Sequence, residues 1–280
     1  MSNSFAVFSP QQYKVLQALS VYRYLTVEQM LLLGLSKNAK SLRDKTLFAL
    51  RHHQCIVSEK IGSFLPDVHH LTKQGRDILC QLEGIELPPA PSQKKQPFSA
   101  LFARHRFAQV DFQIGLHQWV EKRGDADILL ELQDFVRQPR AATELVVPEL
   151  INPVIPDGTF AVQLNTGATA LYLVEIHRSS QSKTVSDQLS RYCEVIKSGV
   201  VAQKYGFDVN PIICSVHQQK AVLQSVKRRL LAFEGFAPFK HNFVFHELAD
   251  LNTNFSQGWH FADGTPANPF PLTPSHHEGQ

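Results

Sequence analysis

Two carboxylates in the second half of the chain are not explained by packing alone. Asp157 lies in Pro156-Asp157-Gly158, at the entry to a strand-like run that continues to Val162. Glu175 interrupts Ala170-Leu171-Tyr172-Leu173-Val174-Glu175-Ile176-His177, which is otherwise nearly all apolar and reads as a central strand. A carboxylate buried in such a strand is costly unless it is paired or binds a metal. The period of two places Leu171, Leu173, Glu175 and His177 on one face of that strand. If the neighbouring strand brings Asp157 beside Glu175, their oxygens and the Ile176 carbonyl form a hard-cation site suited to Mg²⁺ or Mn²⁺. Such an ion polarises a phosphodiester and lowers the pKa of an attacking water. Each residue alone also has an ordinary reading: Pro-Asp-Gly is a common turn, and strand ends tolerate a charge.

The helix expected next, Ser182 to Ser198, carries Val185, Leu189, Tyr192, Cys193 and Ile196 at helical spacing. Gln188 and Tyr192 stand one turn apart on it, so both can face the carboxylates, although Tyr192 serves equally well as a core residue. Lys183 on the same helix is a candidate source of positive charge. His105, on a helix expected over Ser99–Lys122, is a candidate metal-side or phosphate-side residue. A partly buried helix histidine is the plainer reading of it.

These residues belong to an expected domain at 99–250 with the order α-β-β-β-α-β, then a further helix and strand. A Pro-rich linker at 84–98 precedes it, and a tail at 251–280 rich in Pro, Asn, His and Gly is expected to lie loosely over the surface. Residues 1–83 read as a helical unit with a hairpin. Ser9-Pro10 opens the first helix, and Thr26 with Gln29 opens a short second one ended by Gly34. Ser36 is expected to cap a third helix, Lys37 to His53, with Leu42, Leu47 and Leu50 on its buried side. Its other side carries Lys37, Lys40, Ser41, Arg43, Lys45 and Arg51. Two strand-like runs and a closing helix capped by Thr72 follow. That order is the order of a winged helix-turn-helix, whose third helix enters the major groove of double-stranded DNA. A solvated basic face or a protein-docking module are the alternatives.

The 280-residue chain holds 28 Lys+Arg against 25 Asp+Glu, too even a balance to identify a partner. Residues 1–83 hold 10 basic and 6 acidic residues, and residues 99–280 hold 16 and 18, so the positive charge gathers in the first part. No run of eighteen apolar residues exists, so no membrane span is expected, and the first residues lack the pattern of a signal peptide. Cys55, Cys80, Cys193 and Cys214 are scattered without a CxxC pair, which fits reduced thiols in the cytoplasm better than a zinc site.

Asp157 followed by Glu175-x-His177, within the α-β-β-β-α-β order, resembles the PD-(D/E)xK nuclease-like fold. Gln188-Leu189-Ser190-Arg191-Tyr192 matches a Gln-x3-Tyr spacing of its RecB-like members. With the N-terminal winged helix, the pattern resembles the plasmid replication–relaxation family, over about residues 9–245. The expected class is therefore α+β: a winged helix-turn-helix followed by a PD-(D/E)xK restriction-endonuclease-like α/β domain. The resemblance implies Mg- or Mn-dependent nicking of plasmid origin DNA, in mobilisation, conjugative transfer or replication, alongside other mobilisation or replication proteins. Asp157 and Glu175 would be the metal ligands, and Gln188 would help orient the site. The motif's lysine is His177 here, which stands as a general base, a phosphate contact, or the mark of a site that no longer cuts. In the last case the chain is a non-catalytic replication or transcription regulator.

Overall fold

The computed structural model describes residues 8–84, 86, 100–133, 142–178 and 180–271. The chain divides into two compact units, Met1–Val110 and Asp111–Gln280. All of the expected linker except Gly84 and Glu86 lies outside the described residues. No helix among the described residues is long and apolar enough to cross a membrane.

In the first unit, α1 (Pro10–Tyr22) and α2 (Val27–Leu32) each begin with a reciprocal capping box, Ser9 with Gln12 and Thr26 with Gln29. A third helical stretch follows as α3 (Ala39–Ser41), a π-helical turn (Leu42–Leu47) and α4 (Phe48–His52). Its cap is Asn38, whose Oδ1 accepts from the Ser41 N–H at 2.7 Å, and not the expected Ser36. Ser36 instead makes a local turn contact, its hydroxyl donating to the Asn38 carbonyl at 3.1 Å. The wide turn has a packing reason. Leu42 and Leu47 are both fully buried, and residues five apart share one side of a π turn but diverge on an α-helix.

Strands β1 (Ile56–Glu59) and β2 (Val68–Leu71) form an antiparallel pair, with Ile56 opposite Leu71 and Glu59 opposite Val68. Leu25 adds a one-residue third strand by bridging His69, through hydrogen bonds of 3.1 and 2.9 Å. Thr72 caps α5 (Lys73–Glu83), which ends at Gly84 in the left-handed conformation. The start of α5 is pressed against the end of the preceding turn. A Cβ at Gly75 would meet the Cys55 carbonyl oxygen at 2.0 Å.

Helix α6 (Ala100–Arg123) contains the boundary between the units. The second unit is a five-stranded sheet, β3 (Ala126–Gln133), β4 (Gly158–Leu164), β5 (Thr169–His177), β6 (Ile212–His217) and β7 (Phe243–Glu247), in that spatial order. Pairs β3–β4 and β4–β5 are antiparallel, whereas β5–β6 and β6–β7 are parallel. The crossovers are α7 (Ser182–Ser198) with α8 (Val200–Tyr205), then α9 (Lys220–Leu231) with a 3₁₀ turn (Glu234–Asn242). One sheet face packs Leu171, Leu173, Ile213 and Phe245 against Leu189, Tyr192, Leu223 and Val226 of these helices. The protein is thus a mixed α+β chain, with N-terminal helices and a mixed central sheet.

The opposite face is aromatic. Phe112, Phe160, Tyr172, Trp259 and Phe270 are each buried there, with Phe270 stacked on Tyr172 at 4.8 Å between ring centroids. Residues 252–271, expected to lie loosely, therefore form part of the packed unit, and residues 272–280 lie outside the described residues. Their polar, Pro-rich composition hides two aromatic anchors, Trp259 and Phe270. The bridge pairings Phe245–His260 and His260–Pro266 tie the segment to the sheet edge after α10 (Leu248–Leu251). All four cysteines are free.

Gly75→Ala forces a methyl group into a backbone carbonyl. It should lower the stability of the first unit by about 1–3 kcal/mol, read as an earlier urea midpoint at unchanged m-value.

Candidate functional site

The site is built where β4 and β5 part. Their ladder ends with Gly158 opposite Val174, which sets Asp157 across from Glu175. At this point side-chain chemistry replaces backbone pairing. The Asp157 N–H donates to the Val174 carbonyl at 2.9 Å, and the Ile176 N–H donates to Asp157 Oδ2 at 2.7 Å. Asp157 therefore satisfies a backbone donor that the diverging strands would leave unpaired.

Glu175 is 2% exposed and points toward α7, as the period of two requires. Gln188 Nε2 donates to its Oε2 at 2.8 Å, and the Tyr192 hydroxyl donates to its Oε1. Burial raises the Glu175 pKa well above the ordinary carboxylate range, and the neighbouring Asp157 raises it further. The two donors and Arg191 oppose that shift without cancelling it. The Tyr192 phenol is held protonated, first by burial and then by Glu175. Arg191 also fixes the approach to β4, donating to the carbonyls of Asn152 and, at 3.0 Å, Pro153.

His177 closes the same face of β5. Its ring centroid lies 4.7 Å from that of His217, its parallel neighbour on β6. His217 Nε2 is 2.8 Å from Ser215 Oγ, and its Nδ1 has no hydrogen-bond partner among the described residues. Burial lowers the His217 pKa to about 2, with His177 and His260 adding to the effect, so this ring is neutral near pH 7. Sequence reasoning missed Ser215 and His217. The signal was present, since Ile212–His217, like β5, is an apolar run that ends in histidine.

Lys183 is turned away from the pair. Lys183 is exposed in the first turn of α7, five residues before Gln188 and hence about 140° around the helix from it. His105 is half-buried on the part of α6 that belongs to the first unit, whereas both carboxylates belong to the second. The hard oxygens of Asp157 and Glu175 suit Mg²⁺ or Mn²⁺, which bind through one or two carboxylates and keep several waters. Among the described residues, no group of three or more His, Cys, Asp or Glu is placed to hold an ion.

In the first unit, Lys37, Lys40, Arg43, Lys45 and Arg51 are exposed, while Ser41 is half-buried with its N–H engaged by the Asn38 cap. The surroundings are less basic than the helix alone suggests. Arg43 lies 3.8 Å from Glu28, and Arg51 donates to Ser58 Oγ at 3.2 Å. Between α2, the π turn and the hairpin lies a groove of about 440 Å³, into which Asp44 and Asp67 face together with Arg43, Phe48 and Arg51.

Ionising Glu175 in the folded state is unfavourable, so the native chain holds a proton that the unfolded chain has released. Stability from this group is present at low pH and is lost as pH rises from the ordinary carboxylate range through the raised folded value. The lowered His69 and His217 act in the opposite sense, removing stability as pH falls below the ordinary histidine range. The readout is therefore a difference. Without divalent metal, urea unfolding of Glu175→Gln should lack the wild-type decline with rising pH, and an unchanged decline would assign it to another group.

Compared with known proteins, the chain matches no family model, no curated protein and no solved structure, so its geometry carries the functional reading.

Proposed function

We propose that the chain binds DNA through its first unit and nicks one strand with its second, as a relaxase-type enzyme at a plasmid mobilisation or replication origin. The observation that carries this reading is Asp157 set across from Glu175 at the parting of β4 and β5. The order α6, β3, β4, β5, α7, β6 around that pair supports a PD-(D/E)xK arrangement, as does the grip of Gln188 and Tyr192 on Glu175. The three helical stretches, the hairpin with its Leu25 bridge and the exposed Lys37, Lys40, Arg43, Lys45 and Arg51 support a winged helix.

In this reading Asp157 and Glu175 would hold the Mg²⁺ or Mn²⁺, which would supply charge stabilisation at the phosphodiester and a more acidic water. Glu175, whose ionisation burial and Asp157 oppose, would give up its proton on holding such a cation. Gln188 and Tyr192 fix the carboxylate plane, and Asp157 holds its own position through the Ile176 N–H. His177 takes the lysine's place beside the neutral His217.

A second reading is favoured by that same substitution. With histidine at the lysine position and Lys183 turned away, the unit also fits a non-catalytic replication or transcription regulator. Supercoiled plasmid carrying the chain's native flanking DNA, with Mg²⁺ or Mn²⁺, separates the two. The nickase yields open circles with the wild type and none with Glu175→Ala, and metal raises the thermal midpoint only of the wild type. Tight binding of the same DNA without cutting by either protein would put the regulator first.

The DNA interface has its own test. Lys40→Ala with Arg43→Ala should weaken duplex binding and reduce the slope of log K against log salt by about 2, one for each phosphate that the removed side chains no longer neutralise. An unchanged slope would remove this helix from the interface.

A further inference from the structure

The groove of the first unit holds chemistry that a plain phosphate-binding face does not need. Its volume of about 440 Å³ falls in the range of pockets that enclose an organic group, roughly 300–1,000 Å³. Being concave, it receives something that protrudes. Glu28, Asp44 and Asp67 would repel a phosphate there, while Arg43, 3.8 Å from Glu28, and Arg51 set two guanidinium groups against those three carboxylates. A neutral group with paired acceptors on one edge and paired donors on another satisfies both signs. Among the bases, guanine has that pattern: O6 and N7 accept from a guanidinium fork, and N1–H with the 2-amino group donates to a carboxylate. The groove also offers a ring to stack on. Phe48 is 58% exposed, with its ring inclined 25° to that of His52 and 6.4 Å from it between centroids.

One donor in the groove is held in place. Arg51 donates to Ser58 Oγ at 3.2 Å, and that hydroxyl lies 2.7 Å from Nδ1 of the buried His69. Burial lowers the His69 pKa to about 4, with Arg51 among the further causes, so the ring is neutral near pH 7 and adds no charge to the groove. The Ser58 oxygen has two lone pairs and accepts from Arg51 with either His69 tautomer.

We infer that this groove captures a guanine base standing out of the duplex or in a single strand, with Arg51 reading O6 and N7, Asp44 reading N1–H and the 2-amino group, and Phe48 stacking on the ring. Ser58 and His69 are positioning residues for Arg51. The inference rests on the DNA-binding reading and deepens it, because exposed bases stacked on aromatic rings and read along their edges are a general mode of single-strand recognition.

Fluorescence anisotropy of the full chain with an all-thymine oligonucleotide, and with the same strand carrying one central guanine, tests this. The guanine strand should bind about tenfold tighter or more. Hypoxanthine, which lacks the 2-amino group, and 7-deazaguanine, which lacks N7, should each lose much of that gain without any change to the protein. Asp44→Asn should abolish the penalty for hypoxanthine, whatever it does to the binding of either strand as a whole. Ser58→Ala should shrink the 7-deazaguanine penalty and leave the hypoxanthine penalty intact, a split that simple loss of folding does not produce. Equal binding of guanine and thymine strands by a chain that still binds duplex plasmid DNA would overturn this inference and spare the DNA-binding reading. Binding of no nucleic acid at all would overturn both.

Discussion

A carboxylate held inside an apolar layer is the constraint around which the second unit is arranged. Glu175 gives up nearly all contact with water, and its charge is opposed by Asp157 directly across the strand gap. Folding tolerates this only because α7 delivers two donors at once, from residues spaced by one helical turn. The spacing of Gln188 and Tyr192, the angle of α7 on the sheet and the point at which β4 leaves β5 are therefore linked. Moving any one would leave a buried oxygen unsatisfied, which costs more than the hydrogen bond itself contributes when made. Such a site stores unfavourable electrostatics that a ligand of opposite charge can relieve.

The first unit solves a different problem. Its surface charges are exposed and individually weak, so what they recognise depends on geometry more than on number. Helix α2 and the hairpin contribute Glu28 and Asp67 to the surroundings of Arg43 and Arg51, and the outcome is a mixed-sign cleft beside the basic residues at the start of the third helical stretch. In the DNA-binding reading proposed above, backbone attraction and base discrimination would occupy neighbouring parts of one surface.

Much of this was legible in the chain. The succession of strands and helices along the second unit followed from its apolar runs, and a spacing of four on an apolar-faced helix allowed Gln188 and Tyr192 to face Glu175. Partners that depend on long-range pairing were not legible. The parallel register that sets His217 beside His177 is determined by the length and packing of a helical crossover, which no local pattern encodes. Ser36 and Asn38 are both good caps, and only the path of the preceding loop chooses between them. The packing of 252–271 was concealed because composition averages over a segment, whereas two aromatic side chains suffice to dock it. The acidic lining of the groove was hidden for a similar reason, since Glu28, Asp44 and Asp67 come from three separate elements.

The π turn at Leu42–Leu47 has a consequence for the surface presented by the third helical stretch. A π turn accommodates an extra residue relative to α-helical winding, so it acts as a phase shifter between the two ends of the rod. Lys37 and Lys40 lie before it, and Phe48 and Arg51 lie after it. With ordinary winding, the later residues would be rotated by about 100° relative to the earlier ones. The azimuth between the basic entry of the helix and its aromatic exit is thus set by one wide turn. A shortening of one residue within it would re-aim half of the surface while leaving the composition almost unchanged.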